Sequence, residues 1–236
     1  MSEDKNISFL FIHGAGGTKS KWRTLAPLAD MSEFVDLPGH GGNPDEPCET
    51  IEDYAMHLAE RMSEDCIAVG HSMGGLIALE LAKRQPKVKG IVLAASSYQL
   101  PVHPKIIASL AEGMFPDNLF RASYAKGASA QLLEEEKLEL SKFPTEVAWK
   151  DFVACDRYKG GEETLISLKI PILAVLGDED RLIPPDTCEA LKRLNANVEV
   201  ATIENAGHYV ALEQPDVFTN EILTFKEKVM KSQTFM

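Results

Sequence analysis

The chain has 236 residues, of which 44% are hydrophobic and 25% are charged, so it is long enough to bury a full core as one large domain. Its net charge of −12 repels polyanions at long range. The composition therefore argues against nucleic acid, anionic membrane surfaces and strongly acidic proteins as partners, and it leaves small neutral substrates open.

The first six residues carry two acids and no apolar run, and no stretch of the chain approaches the ~20 apolar residues that cross a bilayer. The four cysteines follow neither zinc-binding nor disulfide spacing and are Cys48, Cys66, Cys155 and Cys188. We therefore expect a soluble, cytoplasmic protein with free thiols and no metal site.

The chain begins with alternating strand-like and helix-like stretches. Ser8–Ile12 is an apolar run that predicts a buried parallel strand, and it ends at the glycine-rich loop His13–Gly17. This loop lacks the Gly-Lys-Ser/Thr ending of a P-loop and the G-x-G-x-x-G pattern of a dinucleotide site, so phosphate binding is not expected. A helix is predicted over Lys19–Leu28, and a brief strand over Phe34–Asp36.

The following stretch continues the alternation. Apolar residues recur at helical spacing from Ile51 to Met62, after the capping residue Thr50. A strand over residues 66–70, a helix over residues 76–85 and a strand over Gly90–Ala95 come next. This β-α-β-α-β order predicts an α/β fold with a mostly parallel, doubly wound sheet and helices on both faces.

Ser72 lies at the apex of a sharp turn between the strand over residues 66–70 and the helix that follows it. Gly70 and Gly74 flank the serine at the G-x-S-x-G spacing, because a Cβ at either position would clash in so tight a turn. The hydroxyl should be exposed at a helix N-terminus, whose free N–H groups favour an oxyanion nearby. Five-residue stretches with the G-x-S-x-G spacing also arise by chance. The prediction that Ser72 is a nucleophile therefore rests on the position of this stretch between a predicted strand and a predicted helix.

From residue 97 to residue 168 the pattern becomes entirely helical. We interpret this stretch as a helical insertion into a core formed by residues 1–96 and 169–236. The predicted helices cover Pro104–Glu112, Ser129–Leu140 and Thr145–Tyr158.

The insertion also contains two notable clusters of side chains. The run Glu134–Glu136 predicts a solvated helix face. A second cluster offers more bulky apolar surface than a short loop needs, and it comprises Met114, Phe115, Leu119, Phe120 and Tyr124.

Strand character returns over Ile170–Leu176, which is followed by the acidic loop Gly177–Asp180. A helix over residues 186–194 and a strand over Val198–Ile203 come next, and His208 and a closing helix over residues 215–229 complete the pattern.

Ser72, the pair Asp178 and Asp180, and His208 each follow a predicted parallel strand. The carboxyl ends of parallel strands meet at one edge of a sheet, so these side chains should lie close together. The order serine, aspartate, histidine suits acyl transfer, with Ser72 as nucleophile and His208 as the base that takes and returns its proton. A carboxylate from either aspartate would orient the imidazole.

Several motifs accompany this constellation, and together they resemble the α/β-hydrolase superfamily over most of the chain outside the insertion. The motifs are His13-Gly14-Ala15-Gly16-Gly17, Asp36-Leu37-Pro38-Gly39-His40-Gly41, Gly70-His71-Ser72-Met73-Gly74-Gly75, Gly177-Asp178-Glu179-Asp180-Arg181-Leu182-Ile183-Pro184, and Gly207-His208 with Glu213-Gln214-Pro215. The resemblance implies an oxyanion hole built from the backbone N–H groups of Ala15 and Met73. It also implies that the insertion is a helical cap, and that His13, His40 and His71 shape loops and the turn.

Two further expectations follow from the resemblance. The family spacing of glycine, two residues, aspartate, three residues and proline fits Gly177, Asp180 and Pro184, which favours Asp180 over Asp178 as the triad acid. The family usually opens with an antiparallel strand pair, for which the six residues before Ile7 are too few, so we expect a sheet of six strands.

The resemblance implies a serine hydrolase of carboxylic esters that needs no cofactor and no metal. We expect the apolar cluster Met114–Tyr124 to form a pocket for small to medium, mainly apolar ester substrates. The same triad also serves thioesterases, C–C bond hydrolases, lactonases and lyases, and a ligand sensor without turnover is a further alternative. The sequence leaves the oligomeric state open.

Overall fold

The computed structural model describes residues 7–234, so the expectations about residues 1–6 lie outside the described part of the chain. Six strands within it form one sheet in the order β2-β1-β3-β4-β5-β6, and each neighbouring pair is parallel. The fold class predicted from the sequence is therefore confirmed. The strands are β1 (Ser8–Ile12), β2 (Ser32–Val35), β3 (Cys66–His71), β4 (Val88–Ala94), β5 (Ile172–Gly177) and β6 (Val198–Ile203).

The sheet has a topological switch point between β1 and β3. Strand β2 lies on one side of β1 and strand β3 on the other, so the chain leaves β1 toward one edge and returns to its opposite side. The loops that follow β1 and β3 therefore diverge and leave a crevice at the carboxyl ends of these strands. Ligands of open α/β sheets bind in such crevices.

Apolar side chains fill both faces of the sheet, since successive residues of a strand point to opposite sides. On one face, Phe9 and Phe11 pack with Trp22 and Phe218. On the other face, Leu10 and neighbouring strand residues pack against helices α1 (Ile51–Arg61) and α2 (Met73–Arg84). Burial on both faces explains why these strands are continuous apolar runs.

The predicted helix over residues 19–28 is a 3₁₀ helix that extends over Lys19–Met31. Pro27 lies inside it and has no N–H to donate, so it interrupts an α-helical hydrogen-bond pattern. The remaining helices of the core are α8 (Thr187–Leu194), α9 (Val210–Glu213) and α10 (Pro215–Thr234). Between residues 7 and 234, no helix is both long and apolar enough to span a membrane.

Five helices lie between β4 and β5, within the predicted insertion. Two of them, α4 and α7, have six and seven residues and were not predicted, because so short a stretch shows no clear helical period. The five helices are α3 (Pro104–Ala111), α4 (Asp117–Ala122), α5 (Ala130–Lys142), α6 (Thr145–Arg157) and α7 (Gly161–Ser167).

Glu136 of α5 is fully buried, so the prediction of a solvated face over residues 134–136 is wrong at this position. Its carboxylate pairs with Lys21, lies 2.8 Å from Arg23 Nη1, and accepts a hydrogen bond from Tyr124 Oη at 2.9 Å. Burial alone would raise the pKa of Glu136, but the attraction of Lys21 and Arg23 holds it below its usual value. These contacts tie α5 to the 3₁₀ helix of the core.

A second buried carboxylate, Glu80 of α2, ties the far end of the insertion to the core. It accepts hydrogen bonds from Tyr158 Oη at 2.7 Å and from Thr164 Oγ1 at 3.0 Å, and it pairs with Arg84 on its own helix. Because a buried carboxylate without such partners would be strongly unfavourable, these contacts stabilise one docked position of the insertion.

Candidate active site

The turn around Ser72 is as tight as the sequence predicts. Ser72 has φ 52° and ψ −118°, a conformation that side chains rarely adopt and that neighbouring contacts must hold. A Cβ at Gly70 would lie 2.1 Å from the carbonyl oxygen of Gly74, and a Cβ at Gly74 would lie 2.3 Å from that of Ile12. Ser96 Oγ stabilises the turn by donating to the Ser72 carbonyl at 2.7 Å.

His208 and Asp180 form a directly hydrogen-bonded pair. Nδ1 of His208 lies 2.9 Å from Oδ2 of Asp180, and the other carboxylate oxygen accepts from the Leu182 N–H at 2.8 Å. Burial alone would raise the pKa of Asp180, but His208 and the backbone N–H donors lower it below its usual value. An ionised carboxylate can only accept hydrogen bonds, so Nδ1 of His208 carries the proton. Nε2 is therefore free to accept a proton from another group.

The structure brings Asp180, rather than Asp178, to the histidine. Asp178 Oδ1 faces the Ala206 N–H at 3.4 Å, and Glu179 accepts from the Lys126 N–H at 2.9 Å. The three acids of this loop therefore point to three different partners. The residue furthest from the strand is the one that reaches His208.

Backbone contacts fix the position of His208. Its N–H donates to the carbonyl of Ser123 in the insertion at 2.9 Å, and its own carbonyl lies 2.9 Å from His71 Nε2. Burial lowers the pKa of His71 to about 3, so His71 is neutral and donates through Nε2. A histidine used in this way orients the loop of His208, and its lowered pKa makes it a poor base at neutral pH.

The two predicted oxyanion donors lie on either side of Ser72. Met73 is the first residue of α2, and the first N–H groups of a helix have no partner within it. Ala15 follows Gly14, where a Cβ would lie 3.1 Å from Ser72 Cβ, so this loop runs directly beside the serine. The positive end of a twelve-residue helix adds to the attraction for an oxyanion at this place.

Ser72 and His208 open into a cavity of about 260 Å³ between the sheet edge and the insertion. Phe115 and Leu119 of the predicted pocket line it, whereas Met114 is 55% exposed elsewhere. Phe120 and Tyr124 are buried outside the lining. Several apolar lining residues were not predicted from the sequence, and they are Leu100, Val102, Ile106, Phe152, Leu182 and Ile183. Two of these, Ile106 of α3 and Phe152 of α6, could have been found from the apolar faces of their helices.

Neither metal ligands nor reactive thiols accompany this site. Within residues 7–234, no group of three or more His, Cys, Asp or Glu side chains could hold a metal ion. Burial raises the pKa of the Cys66 thiol to about 12 and raises that of the Cys155 thiol as well, so both remain protonated at neutral pH.

Comparison with known proteins agrees with the fold. A family model described as the alpha/beta hydrolase family matches residues 9–221. A pimeloyl-[acyl-carrier protein] methyl ester esterase of Neisseria meningitidis serogroup C is 29% identical over 239 residues, which cover 92% of this chain and 93% of that protein.

Two further similarities cover nearly the whole chain. The biotin biosynthesis bifunctional protein BioHC of Teredinibacter turnerae is 26% identical over 95% of this chain, which spans only 44% of that protein's length. A solved structure of a thermophilic esterase superposes with a TM-score of 0.81 at 25% identity, over 94% of this chain and 90% of that one. With the family model matched over most of its length, the chain belongs to the alpha/beta hydrolase family.

Proposed function

We propose that the chain is a serine esterase that hydrolyses carboxylic esters through an acyl-enzyme. The observation that carries this proposal is that His208, which is hydrogen-bonded to Asp180, lines the same cavity as Ser72. The relatives named as methyl ester esterases and the similar thermophilic esterase support ester hydrolysis as the reaction class.

In the proposed mechanism, Ser72 Oγ attacks the acyl carbon while His208 Nε2 accepts the hydroxyl proton. Asp180 holds the imidazole in the tautomer with Nδ1 protonated and stabilises the imidazolium that forms. The N–H groups of Ala15 and Met73 bind the oxyanion of the tetrahedral intermediate. Collapse of this intermediate expels the alcohol, which takes the proton from His208, and a water molecule then releases the acid by the same steps.

The lining of the cavity supports a small to medium, mainly apolar substrate. Phe115 and Leu119 come from the insertion, and Ile183 comes from the loop of the catalytic acid, so apolar groups surround the reacting bond from two sides. We propose that the insertion acts as the cap that sets substrate preference. The net charge of −12 mildly disfavours thioesters of acidic carrier proteins or of coenzyme A.

The test is turnover of p-nitrophenyl esters of increasing acyl length, beside a methyl ester and an acyl thioester of matched chain. We expect an ester kcat in the ordinary range of ~1–1000 per second, and we expect Ser72→Ala to lose about three to six orders of magnitude. A fluorophosphonate probe should add its mass at Ser72. Labelling of another serine would contradict the nucleophile, and a preferred thioester would contradict the substrate class.

A ligand sensor would give a different result in the same assay. It would bind the substrate or product in the cavity with almost no turnover, even with Ser72 exposed to the probe. Saturable ester binding without hydrolysis would therefore overturn the proposal.

A further inference from the structure

Asp151 of α6 carries a fully buried carboxylate at the junction of the insertion with the core. Its Oδ2 accepts a hydrogen bond from the Gly16 N–H at 2.9 Å and lies 2.8 Å from His40 Nε2, while Oδ1 accepts from Tyr54 Oη at 2.9 Å. One side chain of the insertion thus contacts the loop after β1, the loop after β2 and helix α1. A buried carboxylate is stable only when it is paired in this way.

The Gly16 contact fixes the backbone beside a predicted oxyanion donor. Ala15 N–H belongs to the peptide unit whose carbonyl is that of Gly14, and this carbonyl lies 2.9 Å from His13 Nδ1 and 3.2 Å from the Gly17 nitrogen. Asp151 holds the next peptide unit, which joins Ala15 to Gly16, through the Gly16 N–H. Contacts on both sides of Ala15 therefore determine where its N–H points.

The partner His40 is charged in this arrangement. Its Nδ1 lies 2.8 Å from the Pro38 carbonyl, and its Nε2 faces the Asp151 carboxylate, so both nitrogens need a proton to donate. Burial alone would lower the pKa of His40, but the hydrogen bond and charge of Asp151 raise it above its usual value. Neighbouring His13 accepts from the Leu37 N–H and is neutral, because burial lowers its pKa to about 4.

Helix α6 joins this contact to the substrate cavity. Ala148 lies one turn before Asp151 and is the nearest side chain to Gly16. A Cβ added at Gly16 would lie 3.5 Å from the Cβ of Ala148. Phe152 and Cys155 line the cavity from the same helix. Helix α6 therefore both lines the cavity and holds the loop that contains Ala15.

We propose that Asp151 is a positioning residue that orients the Ala15 N–H for the oxyanion, an inference that rests on the esterase function proposed above. The insertion then contributes to the reaction step as well as to substrate preference. Because an oxyanion donor acts only in the transition state, its misplacement lowers kcat and leaves KM nearly unchanged.

The test compares Asp151→Asn and Asp151→Ala with Glu80→Gln and Glu80→Ala. Glu80 is a matched control, since it is a buried carboxylate that also ties the insertion to the core but contacts no residue of the Ala15 loop. With a short p-nitrophenyl ester, we expect kcat to fall about tenfold for Asp151→Asn and about a hundredfold for Asp151→Ala, with KM within about threefold. The Glu80 variants should lower the melting temperature but keep kcat within about threefold.

A second readout does not depend on turnover. The Gly16 amide should exchange its hydrogen at least about ten times faster in Asp151→Asn than in the wild type, and at the wild-type rate in Glu80→Gln. If Asp151→Ala fails to fold, Asp151→Asn decides the question alone. An unchanged kcat in Asp151→Asn would overturn the proposal, as would an unchanged Gly16 exchange rate or an equal loss of kcat in the Glu80 variants.

The two proposals fail in distinguishable ways. A wild-type chain that turns over no ester would contradict the esterase function, while Gly16 exchange would still test whether Asp151 holds the loop. A wild-type esterase that tolerates Asp151→Asn without loss would contradict only the positioning role.

Discussion

The sheet and the helical insertion are stabilised by different kinds of contact. The strands are buried between two layers of apolar side chains, and no single pair dominates either layer. The insertion shares part of this apolar packing through Leu165 and Leu168, but it also meets the core through buried carboxylates with defined partners. These carboxylates are Glu136, Asp151 and Glu80. Apolar packing is non-directional and tolerates exchange of similar side chains, whereas each buried carboxylate requires its own donors.

This difference assigns separate tasks to the two regions. The core supplies the groups of the proposed triad, and the insertion supplies about half of the cavity wall together with the Ser123 carbonyl that holds His208. Substitutions in the core should therefore change the chemistry, and substitutions in the insertion should change docking, preference or positioning.

The largest expected effect is on the chemistry and concerns the acidic loop of the core. Asp180→Asn should keep the fold but present an amide that can stabilise the wrong tautomer of His208, which lowers kcat by up to about four orders of magnitude. The carboxylate of Asp178 faces the Ala206 N–H instead, so Asp178→Asn should lower kcat only about tenfold. The measurement is kcat for both variants with their melting temperatures. A larger loss for Asp178→Asn at equal stability would reverse the assignment.

The next largest effect concerns docking of the insertion. Glu136→Gln leaves the buried ammonium of Lys21 without its counter-charge, so the free energy of unfolding should fall by about 3–5 kcal/mol. Ile67→Val, a substitution at a fully buried position of β3, should lower the free energy of unfolding by only about 1 kcal/mol. Urea unfolding of the two variants measures both losses. Equal losses would show that the insertion is attached no differently from the strands.

Substrate preference should respond to a smaller change in the cavity wall. Phe115→Ala enlarges the cavity, so it should shift the ratio of kcat/KM between long and short acyl esters by about tenfold. Met114→Ala is the matched control, because its side chain is the neighbour in sequence and is 55% exposed outside the cavity. An equal loss of kcat/KM for every ester in Phe115→Ala would indicate a purely structural role.

The smallest expected effect is a pH dependence of stability at the His40–Asp151 contact. Because the pKa of His40 is raised by Asp151, its stabilising effect is fully present below the unfolded pKa of about 6.5 and is lost as the pH rises through the folded value. The rings of His13 and Tyr54 contact the ring of His40, and the charge of Asp36 also raises the pKa of His40. None of these three side chains supplies a second counter-charge as close as Asp151. The pair should therefore weaken in mildly alkaline solution.

The measurement is the difference in free energy of unfolding between the wild type and His40→Gln, from about pH 6 to about pH 9. This difference should decrease with rising pH, and Asp151→Asn should abolish the trend. The buried histidines His13 and His71 have lowered pKa values and act in the opposite direction below pH 6.5, so the trend is evaluated above pH 6.5, where both are neutral. A constant difference would contradict a charged His40.

Much of the fold and of the candidate site could be predicted from local sequence. The strand runs, the glycines around Ser72 and the spacing from Gly177 to Asp180 each report on backbone constraints within a few residues. Glu136 could not be predicted, because two exposed glutamates precede it and its partners Lys21 and Arg23 lie more than a hundred residues away. The tie between Asp151 and Gly16 spans 135 residues and was missed for the same reason.

The hydrogen bond from the His208 N–H to the Ser123 carbonyl has a consequence for exchanging insertions between relatives. Because both partners are main-chain atoms, the contact places no demand on which side chain occupies position 123, only on the path of the backbone. A transplanted insertion of quite different sequence could therefore keep the histidine loop in place if its chain turned at the same point after α4. A graft that shortened this turn by one residue would displace the loop even if every side chain of the cavity were retained.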